Sequence, residues 1–398
     1  MKKLYRTKPY FPFKNSLAHS FRNILESGQF VQGKLVKQFE SRISEYVDAK
    51  YAVATNSCST ALEITLRSLW VDPFQYEWIV PTQTFVASVN CVIRTGYKPV
   101  IVDIDPVTQC LTADIIEKNI TENTAGVILV NMAGLIPPDI CEIQELCKRR
   151  NKHLVTDDAH ALGSQFYNQY KDQRLHAGNL GVAGCFSFYA TKIITTGEGG
   201  MITTNNKEIY EKALLLRNHG MSVNEPEIPG LDYGVTCEFP SSNYRMTEMA
   251  AMLGNSQMKH IDGFIKKRNE IAEQYFDEFK DVEEIITPPT YDMIRQTWWQ
   301  YICQLDFGSV SRKTFCQYLL NRYAVPTANA YWPACHEQPA FSQYVHGREY
   351  PNADKLLSRN FSLPMYVELK KDDIYYIGDA VRETIQHFKD HPNVPEID

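Results

Sequence analysis

No stretch of this 398-residue chain approaches the 18 or so consecutive apolar residues that a membrane-spanning helix needs, so a helical membrane protein is excluded. The N-terminal MKKLYRTKPYFPF is basic but lacks an apolar run of signal-peptide length, which makes a cytoplasmic location the expectation. Positive charge is not in surplus either. Lys and Arg total 41 against 47 Asp and Glu, a net charge of −6, and they are scattered, so neither nucleic acid nor a membrane surface is an expected partner. The ten cysteines form no Cys-x-x-Cys pair and no Cys/His ligand spacing, which argues against structural zinc, any other metal, or a disulfide framework. Internal repeats and low-complexity tracts are absent too.

What remains is an ordinary globular composition, with 44% hydrophobic and 22% charged residues, in a chain long enough for two or three domains. Seven short apolar runs read as strands: Ala52–Thr55, Trp78–Pro81, Pro99–Asp103, Gly126–Asn131, His153–Asp157, Gly184–Phe188 and Gly200–Thr204. Helical periodicity fills most of the gaps, over Val86–Arg94, Ala113–Asn119 and Cys141–Arg150, and also follows Gly33 through Leu35, Val36, Phe39, Ile43 and Val47. Strands alternating with helices predict an α/β fold whose sheet is mostly parallel. An irregular stretch, Met221–Ser242, reads as a surface loop, and a helical run then extends from Thr247 to about Phe279. Strand-like Trp298–Leu305, a helix near Arg312–Arg322, an aromatic-rich loop Pro326–Tyr344 and a last helix Asp372–Phe388 suggest a smaller α+β domain. The expected division is 1–260 and 261–398.

The segment Cys185–Met201, CFSFYATKIITTGEGGM, organises the rest. A lysine set against an apolar strand loses solvation of its ammonium form. Its pKa falls and its neutral amine becomes nucleophilic, which makes Lys192 a candidate for a carbonyl cofactor. Functional groups in α/β sheets collect beyond the carboxyl ends of the strands, and three other segments sit there. After Ala52–Thr55, the hydroxyl-rich Ser57-Cys58-Ser59 opens a helix, either as an anion site or as plain N-capping. Phe85 follows the second strand and reads as a stacking ring or as core. Asp157 ends an apolar strand, where a lone acid is rare, and reads as a cation partner or a helix cap; His160 follows three residues on. Ser187, five residues before Lys192, is a further phosphate donor candidate. Pyridoxal phosphate needs this set: an amine for its aldehyde, a carboxylate for its ring nitrogen, a stacking group and phosphate donors.

The blocks TNSCSTAL (55–62), PTQTFVAS (81–88), DDAHALGS (157–164), FSFYATKIITTGEGG (186–200), NYRMTE (243–248) and SLP (362–364) resemble, in this order, the DegT/DnrJ/EryC1/StrS family. These are sugar aminotransferases with the type I fold of pyridoxal-phosphate enzymes. The resemblance implies that Lys192 is the Schiff-base lysine, that Asp157 meets the pyridine nitrogen, and that His160 stands where many members have glutamine. It implies that Phe85 stacks on the cofactor, that Ser57, Cys58, Ser59 and Ser187 surround the phosphate, and that Asn243 enters the site of a neighbouring subunit in a homodimer. Three positions depart from the family pattern. Val182 replaces a common acid, Asn131 a frequent histidine, and Ala330 the histidine before Tyr331; all three are expected around the sugar-nucleotide pocket.

By the same resemblance, the activity is transfer of an amino group, with glutamate as expected donor, to a nucleotide-linked keto-sugar in two half-reactions at one site. The Ser57–Leu62 segment lacks an aspartate often found in members acting at sugar C3, which favours a 4-keto-6-deoxy substrate. Two other readings use the same residues: a keto-cyclitol aminotransferase, and a non-catalytic pyridoxal-phosphate-binding regulator. The second expects an attached basic DNA-binding segment, and the chain shows no basic patch to match.

Overall fold

A computed structural model describes residues 3–223, 234–308 and 310–391. All seven expected strands lie in one sheet: β1 (Tyr51–Thr55), β2 (Glu77–Pro81), β3 (Lys98–Val102), β4 (Thr124–Val130), β5 (His153–Asp157), β6 (Ala183–Ser187) and β7 (Gly200–Thr204). Their order is β1-β7-β6-β5-β4-β2-β3. β7 runs opposite to the other six strands. The strands read as continuous apolar runs because both faces are covered. Ile79, Val127, Leu129 and Leu154 point into one apolar cluster, while Trp78, Val80, Ile128 and Val155 point into the other.

The helices of this part are α1 (Lys14–Ser27), α2 (Lys34–Tyr46), α3 (Cys58–Ser68), α4 (Ala87–Arg94), α5 (Ala113–Asn119), α6 (Ile140–Arg149) and α7 (Lys207–Arg217), and all but α1 follow the expected pattern. Helix α1 was not foreseen; Leu17, Phe21, Ile24 and Leu25 recur in it at helical spacing, but of these only Ile24 is buried. The start of α2 is tied down from a distance. The carboxylate of Glu248 accepts the backbone N–H groups of Gly33, Leu35 and Val36 at 2.9, 2.9 and 3.0 Å. Those donors have no intrahelical acceptor, so the buried acid is satisfied and the helix is fixed to the one that begins at Glu248.

The expected single helix from Thr247 to Phe279 is two, α8 (Glu248–Met258) and α9 (Ile261–Phe279). His260 leaves the helical region at φ −127°, and the ring of Phe13 stacks on its imidazole at 4.3 Å. The break redirects α9 so that Ile261, Phe264 and Ile265 are buried. No glycine or proline marks it in the sequence. The ends of the expected loop 221–242 pair as a ribbon, Met221–Val223 with Val235–Cys237; residues 224–233 of it lie outside the described residues.

Beyond α9, β8 (Ile285–Ile286), β9 (Tyr301–Leu305) and β10 (Asn360–Leu363) form a small antiparallel sheet. It packs with α9, α10 (Arg312–Tyr323) and the final helix Lys371–Asp390 around a separate apolar cluster containing Tyr275, Tyr301, Phe315, Phe361 and Phe388. Strand β9 starts three residues later than expected, because Trp298 adopts φ +50° and turns the chain before it. The aromatic-rich loop holds two short 3-10 turns, Cys335–Glu337 and Pro339–Tyr344.

Candidate active site

Register places the candidate residues along one edge of the sheet. Thr55 and Ser187 both pair with Gly200, Asp157 pairs with Cys185, and Val130 pairs with Asp157. The turns that leave β1, β2, β4, β5 and β6 therefore open on the same side. Gly200 is required for the closest approach: a Cβ there would stand 2.3 Å from the carbonyl carbon and oxygen of Ser57. The turn before α3 thus lies directly on β7.

Lys192 is half-buried, with its Nζ 4.1 Å above the ring centroid of Trp299. Burial lowers its pKa from 10.5 to about 8; the nearby Asp157 and Cys58 oppose the shift without cancelling it. Trp299 is buried and its indole N–H donates to the Thr191 carbonyl at 2.9 Å, so the ring and the lysine segment are held together. On Trp299 lies the imidazole of His160, stacked at 3.8 Å and 8°. His160 Nε2 meets the Tyr331 hydroxyl at 2.8 Å. Its Nδ1 is buried and has no hydrogen-bond partner among the described residues. Burial, then the Lys192 charge, hold this imidazole well below its ordinary pKa, so it is neutral.

Asp157 is buried and caps no helix. One carboxylate oxygen accepts the Ser88 hydroxyl at 2.7 Å; the other accepts the Ala159 N–H at 3.2 Å and faces Cys58 Sγ at 3.9 Å. Desolvation raises its pKa, against the hydrogen bonds and the Lys192 charge. Asp158, also buried, takes hydrogen bonds from Asn131, Thr156 and the Gly178 N–H, and desolvation lifts its pKa to about 7. Burial likewise raises the Cys58 thiol well above its usual range.

The remaining candidates divide. Ser57 is the N-cap of α3, its hydroxyl accepting the Thr60 N–H at 3.2 Å, and Ser59 lies exposed in the first turn. Ser187 is partly buried and accepts the Tyr189 N–H at 3.3 Å. Phe85 is 56% exposed with its centroid 5.8 Å from Tyr331, so it is not a core residue. Asn243 is exposed. Its side chain accepts the Arg245 N–H at 3.2 Å, and its carbonyl lies 3.5 Å from the Asn56 amide, beside the Ser57 turn.

Two of the positions expected around a substrate pocket lie elsewhere. Asn131 is fully buried beneath the site, donating to Asp158, and Val182 precedes β6 at the opposite edge of the sheet. Tyr331, next to Ala330, does reach the site. Trp299, Ser88 and Asp158 were missed. Trp299 sits in a run that reads as apolar strand, and its role depends on the turn at Trp298. Asp158 adjoins Asp157, a signal that could have been followed.

Pyridoxal phosphate fits these residues. An amine of lowered pKa, a buried carboxylate whose pKa desolvation raises, an imidazole nitrogen without a partner among the described residues, and a helix N-terminus with two hydroxyls lie along one edge of the sheet. Among the described residues no cluster of His, Cys, Asp or Glu suits a metal ion, and no helix is long and apolar enough to cross a membrane.

Comparison with known proteins agrees with this geometry. The model of the DegT/DnrJ/EryC1/StrS aminotransferase family matches residues 13–382. The chain is 34% identical over 369 residues to the spore coat polysaccharide biosynthesis protein SpsC of Bacillus subtilis, covering 91% of this chain and 92% of that one. It is 30% identical over 355 residues to GDP-perosamine synthase of Escherichia coli O157:H7, covering 88% and 90%. The solved structure of Helicobacter pylori PseC, an aminotransferase involved in the biosynthesis of pseudoaminic acid, superposes with a TM-score of 0.88 at 27% identity over 97% of this chain and all of that one.

Proposed function

The chain belongs to the DegT/DnrJ/EryC1/StrS aminotransferase family, and from that premise we propose that it aminates a nucleotide-linked keto-sugar, with glutamate as donor. The observation that carries the reading is that Lys192 and His160 both lie against the Trp299 ring, with Asp157 close enough to Lys192 to act on its charge. Pyridoxal phosphate, when bound, supplies an aldehyde carbon that takes up amines and a ring that accepts electron density from the carbon losing its proton.

Lys192 holds the aldehyde end. Once its amine is free, a pKa of about 8 lets it take a proton from the donor's α-carbon and return one to the sugar carbon near neutrality. Asp157 holds the proton on the ring nitrogen; its raised pKa marks a carboxylate that gains by acquiring a cation. His160, neutral and fixed between Trp299 and Tyr331, offers Nδ1 to the ring oxygen. Phe85 covers the ring, and Ser57, Ser59, Ser187 and the first-turn N–H groups of α3 hold the phosphate. Asn243 crosses to the site of a second copy, giving a homodimer with two shared sites.

The test is product mass. Purified protein with glutamate is offered UDP-, GDP- and dTDP-linked keto-sugars beside a keto-inositol. An amino sugar nucleotide from at least one 4-keto-6-deoxy substrate is the expected result. Amination of the keto-inositol alone, or of nothing, would overturn the reading.

A further inference from the structure

A neutral imidazole has one nitrogen that donates and one that accepts, and which is which decides what His160 can offer a ligand. His160 is 4% exposed, and its ring lies flat against Trp299. Desolvation, with the Lys192 charge behind it, keeps the ring uncharged. Nε2 lies 2.8 Å from the Tyr331 hydroxyl, while Nδ1 is buried without a partner among the described residues. A pyridoxal ring oxygen carries negative charge and calls for a donor. Nδ1 serves it only in the form that bears the proton.

The tautomer follows from what Tyr331 can do. Its hydroxyl has no hydrogen-bond partner besides His160 among the described residues. Burial, then the neighbouring Asp157 and Cys58, raise its pKa well above the ordinary phenol value; Arg6 opposes them and Cys335 adds to them. The phenol therefore keeps its proton. With the imidazole proton on Nε2, that N–H would donate to the tyrosine oxygen, and both the phenol O–H and the bare Nδ1 would stay unmet. With the phenol donating to Nε2, only the Nδ1–H is left over. A buried donor without an acceptor is costly, and here it stands where a ligand oxygen can remove the cost.

The small antiparallel sheet carries the hydroxyl to this place. Ala328 pairs with Ser362 of β10, its N–H donating at 3.2 Å and its carbonyl accepting at 2.7 Å. The Ala330 carbonyl accepts the side-chain amides of Asn360 and Gln83, each at 3.0 Å. We propose that Tyr331 is a positioning residue: it donates to Nε2, fixes His160 in the Nδ1–H form, and so turns a donor rather than an acceptor toward the ring oxygen of the cofactor. This rests on the reading of His160 above and is independent of which sugar is aminated.

Two measurements test this, and neither is turnover. In cofactor-free protein carrying nitrogen-labelled histidine, long-range proton–nitrogen NMR spectra report which ring nitrogen holds the proton. His160 is assigned by the signal missing in His160→Gln. Wild type should hold the proton on Nδ1, and Tyr331→Phe, which keeps the ring and loses the donor, should gain the Nε2 form. A wild-type proton on Nε2 overturns the proposal, and this arm decides alone if Tyr331→Phe fails to fold. In cofactor-loaded protein the visible absorption is titrated with pH. A donor on the ring oxygen stabilises its charge and weakens its hold on the proton shared with the nitrogen that joins Lys192 to the cofactor, so losing the donor raises the midpoint. Tyr331→Phe and His160→Ala should each raise it by about one pH unit, a tenfold change in proton affinity. A glutamine amide can turn an N–H to the ring oxygen with or without Tyr331, so adding Tyr331→Phe to His160→Gln should leave the midpoint in place. A Tyr331→Phe shift that persists in His160→Gln overturns the role of Tyr331, as does no Tyr331→Phe shift where His160→Ala gives one. No shift in His160→Ala removes His160 from the ring oxygen, and the reading beneath the proposal falls with it.

Discussion

The amine of Lys192 stands 4.1 Å over the ring of Trp299, on which His160 is stacked at 3.8 Å. The indole thus shields the lysine from water and fixes the histidine beside it. Removing the ring in Trp299→Ala should let water reach the amine and return its pKa toward 10.5 from about 8. Competitive acetylation of the cofactor-free protein against pH measures this, with Trp299→Phe falling between. Emptying so buried a position should also cost about 3–5 kcal/mol of stability, read by urea unfolding. An unchanged Lys192 titration midpoint in Trp299→Ala would show that another group sets it.

The lowered lysine pKa also fixes a sign for stability. The folded cofactor-free protein releases this proton near pH 8 and the unfolded chain near 10.5, so between them the unfolded chain holds more protons and stability rises with pH. Below pH 8 the buried charge is a steady cost of the order of 2 kcal/mol. Lys192→Met should therefore abolish transamination and raise the melting temperature at pH 7, the gain shrinking from pH 8 to 10.5. A variant less stable than wild type at pH 7 would contradict this.

Much of this was legible in the chain. All seven strands of the main sheet, and the positions of Ser57, Asp157, Ser187 and Lys192 just beyond or at their ends, follow from apolar runs broken by polar residues. That signal is local. What escaped is contact between distant segments: Trp299 reaches Lys192 only after the turn at Trp298, and Glu248 caps α2 more than 200 positions away. Asn131 was misplaced for a related reason. Its position after β4 is shared with pocket-lining residues, and only the three-dimensional neighbourhood shows it turned inward to Asp158.

The two buried acids give a second pH window. Asp158 releases its proton near pH 7 in the folded protein but near 3.8 unfolded, so stability is greatest below 3.8 and is lost as pH rises to about 7. Asp157 is shifted in the same direction. The cofactor-free Asp158→Asn protein should show a flatter fall in melting temperature between pH 4 and 7 than wild type. Asp157→Asn should likewise be at least as stable as wild type at pH 7 without cofactor, yet lose about a hundredfold or more in amino transfer, in the range seen on removing one preorganised electrostatic partner. Equal slopes for wild type and Asp158→Asn would remove Asp158 as the cause.

The Ser57 turn reaches its position only because residue 200 has no side chain. In Gly200→Ala the new Cβ would meet the Ser57 backbone at 2.3 Å, closer than carbon atoms approach in folded proteins. Backbone cannot swing aside as a side chain can, so β1 and β7 must separate or the turn must move. The expected result is a loss of about 1–3 kcal/mol with weakened pyridoxal-phosphate affinity, measured by dialysis. Cofactor affinity at the wild-type level would mean that the phosphate is held somewhere other than this turn.

Asn243 lies at the exposed rim, its carbonyl 3.5 Å from the Asn56 amide and its side chain, among the described residues, bonded to the Arg245 N–H of its own chain. A residue at the rim of one site and on the surface of the chain can serve a neighbouring copy. If it does, a chain carrying Asn243→Ala still supplies Lys192, and a chain carrying Lys192→Ala still supplies Asn243. Each is inactive alone in a pure homodimer. Mixed by unfolding and refolding together, half of the dimers should be hybrids holding one complete site, as random pairing of equal chains requires. Activity should then reappear at about a quarter of the wild-type level per chain, following from one working site in half the dimers. Size-exclusion chromatography checks that dimers form, and no recovery in such dimers would place Asn243 within its own chain's site.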